Sequence, residues 1–282
     1  MPTFDTREPI TASVDVVTGD VRLTAGDVAT TVVEVRPSDP ANPDDVRAAE
    51  GTRVEFAGGT LVVKAPRFRS WAPRTNSGSI DVTIDLPAGS HLKATGAMAD
   101  FDADGRFGDT RIKTGVGKVA LGSVAKLNVR NGAGDIEVDR VTGHAEITSG
   151  IGEVRVRALD GSAVIKNSSG PTWVGEAGGD LRVNAASGSI AVDVAQASLV
   201  AKASIGDVRV GSLVRGTAVL ETRAGDVEIG IREGTAAWLD VHASTGRVEN
   251  ALDAADAPAP ADEKVEVRAR TTIGNVAIRR AA

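Results

Sequence analysis

The chain has 282 residues, 41% hydrophobic and 25% charged, with 32 glycines, 3% aromatic residues, no tyrosine and no cysteine. That length permits one large domain or two ordinary ones around a mainly aliphatic core, and the absence of cysteine excludes a disulfide framework, a zinc–thiolate site and a thiol nucleophile. A formal net charge of −6 argues against a generic nucleic-acid binder, which needs a clustered basic surface to meet phosphates.

The opening stretch MPTFDTREPITASVDVV lacks a basic segment followed by an apolar one, and no run of about 18 apolar residues occurs anywhere, so the expectation is a cytoplasmic protein without a membrane span. Residues 1–98 predict an irregular, β-rich capping section continuous with the rest. Strands are expected at SVDVV, VRLTA, TTVVEV, RVEF and TLVVK, and a helix only at PDDVRAAEGT. Within this section PRFRSWAPR, residues 66–74, interleaves Arg67, Arg69 and Arg74 with Phe68 and Trp71. Cations beside aromatic rings suit an acidic polymer or stacked bases. The alternative is a loop whose aromatics cover the end of the fold.

DFDADG at 100–105 opens like a calcium-binding EF-hand loop, but Arg111 stands where the bidentate glutamate belongs and no helices flank it. Alternation instead turns Phe101 and Ala103 inward and leaves the aspartates to solvent. KTGVGKVAL, residues 113–121, has the G-x-G-x-x-A spacing of a dinucleotide loop. A helix must follow such a loop, whereas Val119 and Leu121 alternate with Lys118 and Ala120 as in a strand.

From Gly117 onward a glycine followed by an alternating strand returns on a beat: Gly134, Gly152, Gly170, Gly188, Gly206, Gly225, Gly246 and Gly274. The spacings are 17 to 19 residues, then 21 and 28, the last stretched by the acidic Ala/Pro insert at 251–263. Two and four places after each glycine stand mostly Val, Ile and Leu. A second strand precedes each glycine, with pairs such as Ala163/Ile165, Ala218/Leu220 and Leu239/Val241 directed inward. One such pair of strands cannot bury its apolar face alone, but stacked copies form continuous aliphatic ladders. The fold class predicted is therefore all-β: a single-chain parallel β-solenoid of about 18 residues per coil, with regular coils over 99–282. A left-handed hexapeptide helix needs an aliphatic residue every sixth position, which Val154, Asp160 and Lys166 do not supply, and the general bias of crossovers favours a right-handed coil. VEVRARTTIGNVAIRR is expected to be the final coil, with only the insert to cap it.

The reiterated GDV and SGSI strands, the start MPTFDT and the stretch DLRVNAASGSI resemble a bacterial β-strand-repeat domain of unknown function that carries the label of adhesin. The resemblance spans essentially the whole chain. It implies a β-solenoid and brings no catalytic residues with it.

No cofactor or metal site is expected: His91, His144 and His242 fit no ligand spacing. Outward residues such as Asp135 and Glu137, then Glu153 and Arg155, stand one coil apart and suit either a solvated face or an acid/base cluster of a carbohydrate-active β-helix. Trp173, outward between Arg155 and Ala191, is a candidate platform for a sugar ring. Three functions follow: a non-enzymatic scaffold with a protein or polysaccharide partner, self-association through the solenoid ends, or a carbohydrate-active enzyme. The first is the leading expectation, because the regular architecture singles out no nucleophile or base.

Overall fold

The computed structural model describes residues 1–66, 78–252 and 263–281. The chain forms two compact units, Met1–Asp139 and Arg140–Ala282. Arg67, Phe68, Arg69, Trp71 and Arg74 lie outside the described residues, as does most of the Ala/Pro insert. No helix among the described residues is long and apolar enough to cross a membrane.

The first unit contains β1 (Thr3–Asp5), β2 (Thr11–Asp15), β3 (Thr18–Gly26), β4 (Thr30–Pro37), α1 (Pro43–Glu50), β5 (Arg53–Ala57), β6 (Thr60–Lys64), β7 (Ile80–Pro87), β8 (His91–Val116) and β9 (Val119–Ala133). The strands and the helix read from residues 1–98 are all present. α1 starts where Asn42 accepts the N–H of Asp44 and Pro43 opens the first turn. Buried Asp45 accepts N–H groups from Asp39 and Ser79, tying the helix to its surroundings.

The order of coils in space differs here from their order in the sequence. β2 lies between β6 and β8, and β3 between β7 and β8, all in parallel register. The first coil of the chain is thus clamped on both sides, and β6 and β7 lie beyond it. β4 and β5 pair antiparallel with β7 and β6. Phe101 is 1% exposed and aligns with Val21 and Val119, so the DFDADG stretch is a core rung with its aspartates facing out.

β10 (Ile136–Val141) leads into the second unit, whose strands alternate between two legs of each coil. The leg before each corner glycine comprises β11 (Ala145–Ile151), β13 (Ala163–Ser169), β15 (Leu181–Ser187), β17 (Leu199–Ile205), β19 (Gly216–Ala224), β21 (Thr235–Thr245) and β23 (Glu263–Ile273). The leg after it comprises β12 (Val154–Leu159), β14 (Thr172–Ala177), β16 (Ile190–Ala195), β18 (Val208–Leu213), β20 (Val227–Ile231), β22 (Val248–Asn250) and β24 (Val276–Arg280). Each strand pairs in parallel with its equivalent one coil away, as in Ala145↔Ala163↔Leu181↔Leu199↔Ala218. The fold is the parallel β-solenoid that the 18-residue beat predicts.

The inward columns are fully buried, among them Val154, Val156, Ile165, Val183, Val192, Val210, Leu220 and Ile229. Each such side chain contributes about 1.5–3 kcal/mol of burial against the chain entropy it costs to order. A one-residue slip would turn a whole leg's apolar set to solvent, which fixes the register. At Gly188, φ is +141° and a Cβ would lie 2.0 Å from the carbonyl oxygen of Gly170. The corner therefore combines a positive φ with backbones too close for any side chain.

The end of this unit corrects the expected coil order. β23 and β24 do not follow β21 and β22 in space. They insert beneath them, so that β19 pairs with β23 and β23 with β21, while β20 pairs with β24 and β24 with β22. Val265, Val267, Ala269, Val276 and Ile278 are buried as a result. The outermost coil is 235–250 instead, where Leu239 and Val241 are only half-buried and Val248 is 47% exposed. The long spacing between Gly246 and Gly274 supplies the chain needed to double back.

Candidate functional site

The legs before the corner glycines place two outward residues on either side of one inward residue, and parallel register stacks each into a column. The first outward column of the second unit runs Lys166, Asn184, Lys202, Glu221, Arg270, His242 across β13, β15, β17, β19, β23 and β21. The second contains Ser168, Ala186, Ser204, Arg223, Thr272 and Ser244. Between them the inward positions hold Asn167, Ala185, Ala203, Thr222 and Thr271. Apart from Arg223, the second and inward columns carry shorter side chains, which leave a depression beside the first column. Together they line an open groove of about 740 Å³.

Among the described residues, four cations, Lys166, Lys202, Arg223 and Arg270, and a single carboxylate, Glu221, line this groove. It is a basic strip on a chain whose net charge is −6. Lys202 meets Glu221 at 2.8 Å and Arg270 meets Asp240 at 3.4 Å, both pairs being exposed. Lys166 and Arg223 have no ion-pair partner among the described residues. Along the adjoining corner, the position immediately before the glycine holds Ile151, Ile205 and Ile273, which are 61–63% exposed. Apolar side chains thus form a broken ridge next to the basic strip.

Beneath the groove the inward column is polar at Asn167, Thr222 and Thr271. Asn167 Nδ2 donates to the carbonyls of Gly152 and Gly170, Thr222 Oγ1 to Gly206 and Thr271 Oγ1 to Gly225. These bonds hold the corner on which the outward columns stand, and they satisfy carbonyls that the strand ladder leaves over.

Trp173, the described member of the predicted contact set, stands on the opposite leg and does not reach the groove. Its Nε1 donates to Asp193 Oδ1 at 3.1 Å, and the Arg155 guanidinium lies over the ring at 5.2 Å. Gly175 gives the ring its place, since a Cβ there would lie 3.0 Å from it. The indole N–H and one ring face are therefore already engaged.

The outward carboxylates are also engaged. Glu153 pairs with Arg155 at 2.6 Å and Glu137 with Lys118 at 3.5 Å. Asp207 Oδ1 accepts the N–H of Asp226, and Asp226 Oδ1 accepts that of Asn275, each one coil away. Arg209 grips Glu228 with two bonds of 2.8 and 2.9 Å. Hydrogen bonding to Arg209 holds the Glu228 carboxyl below its ordinary range, and the same bonding raises the guanidinium. Among the described residues no group of three or more His, Asp or Glu side chains is arranged to hold a metal ion.

Sequence reasoning missed both the groove and its ridge. The readable signal was there: an isoleucine stands directly before the corner glycine in TSGIG, ASIG and TTIG, where Gly117 has Val116 and the other repeats place serine, alanine or threonine.

Among solved structures, the chain is similar to a "putative adhesin" from Bacteroides fragilis at 14% identity, covering 99% of this chain and 95% of that one with a TM-score of 0.45. It is also similar to a "putative cell adhesion protein" from Clostridium sporogenes at 10% identity, covering 98% and 94% with a TM-score of 0.24. No curated protein matches the chain. The family model of Toastrack DUF4097, a domain of unknown function, matches residues 12–279, and the chain belongs to that family.

Proposed function

We propose that the chain is a non-enzymatic binding module, a β-solenoid scaffold that holds an extended protein or polysaccharide partner across its stacked coils. The groove carries this reading: six strands in register place four cations against one carboxylate on an otherwise acidic chain. Such a strip attracts an anionic partner and fixes its register.

The test compares the immobilised wild-type chain with a K166E/R223E variant in capture from cell extract and cell-envelope fractions. Recovery of one partner by the wild type alone supports the reading. Equal recovery by both, or none by either, overturns it, as does hydrolytic or lyase activity of the purified chain on a panel of glycans.

A second reading, self-association, draws on the outermost coil of the second unit. Among the described pairings β21 has only β23 as a neighbour, and Trp238 and Val248 are exposed beside half-buried Leu239 and Val241. Unpaired edges of this kind accept another strand. Sedimentation at rising concentration that shows only monomer overturns this reading.

A further inference from the structure

We infer that the groove on the second unit binds an acidic polysaccharide carrying one anionic group per disaccharide, laid along the stack and across the strands. This rests on the binding-module reading and assigns the ligand class of the same site.

The charge sequence of the first outward column carries the inference. Along β13, β15, β17, β19 and β23 it reads Lys166, Asn184, Lys202, Glu221, Arg270. Adjacent coils lie about 4.8 Å apart, so the three cations recur at roughly 10 Å. That interval approximates the length of an extended disaccharide, whereas a single sugar spans about one coil. A polymer charged on every sugar would set an anion against Glu221 whenever its other anions met Lys202 and Arg270. A polymer charged on every second sugar meets the three cations and presents uncharged sugars to Asn184 and Glu221, whose amide and carboxylate hydrogen-bond hydroxyl groups.

The surrounding residues also fit a sugar. Ser168, Ser204, Ser244 and Thr272 line the groove with hydroxyls, and Asn184 adds an amide. Exposed Ile205 and Ile273 stand at the adjoining corner, where the apolar face of a pyranose ring has something to pack on. A single-stranded nucleic acid is served less well, because its binding uses aromatic side chains to stack bases and no Trp or Phe among the described residues lines this groove. The exposed pairs Lys202–Glu221 and Arg270–Asp240 do not block the site, since surface ion pairs contribute little and exchange partners readily. Lys166 and Arg223 need give up no ion pair.

The test is titration of the full chain with hyaluronan, which has one carboxylate per disaccharide, beside polygalacturonate with one per sugar, neutral dextran and oligothymidylate. Binding of hyaluronan at least tenfold tighter than of the other three is expected, weakened at least tenfold by K166E/R223E and by raised salt. Circular dichroism establishes that the variant is folded, and an independent K202E variant repeats the comparison if it is not. Equal binding of polygalacturonate or oligothymidylate, or unchanged affinity in the variants, overturns the inference. If no polysaccharide binds while the groove variant still loses its captured partner, the ligand class fails and the binding-module reading stands.

Discussion

The backbone N–H of Asn275 donates to Oδ1 of Asp226 at 2.7 Å, although 49 residues separate them. The coil that ends the chain is therefore seated directly on the coil of Asp226, and the coil of Gly246 lies outside it. Asn275 Oδ1 repeats the bond outward, accepting the N–H of Arg247 at 3.0 Å. In the first unit β2 and β3 are enclosed in the same manner. The coil of β2 and β3 and the coil of β23 and β24 thus each have a neighbour on both sides, which opposes local opening.

This order has a measurable consequence for two leucines on neighbouring inward columns of the same leg. Leu220, fully buried, aligns with Ala201 and Ala269, while Leu239, half-buried, aligns among the described residues with Val267 alone. Leu220→Ala is expected to destabilise the fold by about 2–5 kcal/mol through lost burial and a cavity. Leu239→Ala is expected to cost clearly less, about 1 kcal/mol, because the site already opens to water. Urea denaturation of the two variants checks this. Equal losses would mean that the coil of Leu239 is covered as deeply as an inner one.

The corner glycines give a second contrast. Gly188→Ala places a methyl group on a φ of +141° and against the Gly170 carbonyl, so a loss of at least about 1–3 kcal/mol is expected. Gly26 ends β3 with a φ outside the left-handed range, and no atom lies within 4 Å of the place a methyl group would take there. Gly26→Ala is expected to be neutral or to stabilise by about 0.4–1 kcal/mol through a less flexible unfolded chain. Thermal unfolding of both variants decides it.

The beat of glycines and aliphatic columns made the solenoid legible because burial and corner geometry act within each coil, where a short stretch of sequence records them. The order of coils is not so recorded. Every coil offers the same backbone edges and the same inward aliphatics, so β23 fits on β19 as well as β21 would. Two hints existed: Asn250 occupies an inward column and proves exposed, and the spacing before Gly274 is long enough for a return. The groove was hidden for a related reason. Lys166, Lys202 and Arg270 are unremarkable within their own coils, and only the stacking of β13, β17 and β23 with the strands between them brings them to one face. Trp173 and the carboxylates after the glycines drew notice as residue types, but local partners engage them.

Arg209 and Glu228 allow a pH test. Because the folded-state pKa of Glu228 is depressed, the pair's contribution is present above the ordinary glutamate range and is lost as pH falls through the lower folded value. Glu228→Gln removes this contribution. The stability difference between wild type and variant is expected to be constant near neutrality and to shrink on acidification below about pH 4. The pair is exposed, so the difference should be small and should fall with added salt. Denaturant unfolding at stepped pH measures it, and a difference independent of pH would show that the fork contributes nothing through charge.

The polar column inside the corners supports a last prediction. Asn167 is 2% exposed and its Nδ2 bridges the Gly152 and Gly170 carbonyls, while its Oδ1 and the neighbouring Ser149 Oγ have no hydrogen-bond partner among the described residues. Asn167→Leu removes the donor and leaves both carbonyls without that hydrogen bond, at an expected cost of about 1–3 kcal/mol. Asn167→Thr should cost less, because Thr222 and Thr271 already fill the same column and each donates Oγ1 to a corner glycine carbonyl at 2.8 and 2.9 Å. Asn167→Asp should be the most damaging of the three at neutral pH. It replaces the donor with a buried carboxylate facing two carbonyl oxygens, and its stability should recover on acidification as that carboxylate takes up a proton. Chemical denaturation of the three variants at pH 7 and pH 4 gives the ranking. A leucine variant as stable as the threonine one would show that the corner holds without the side-chain donor.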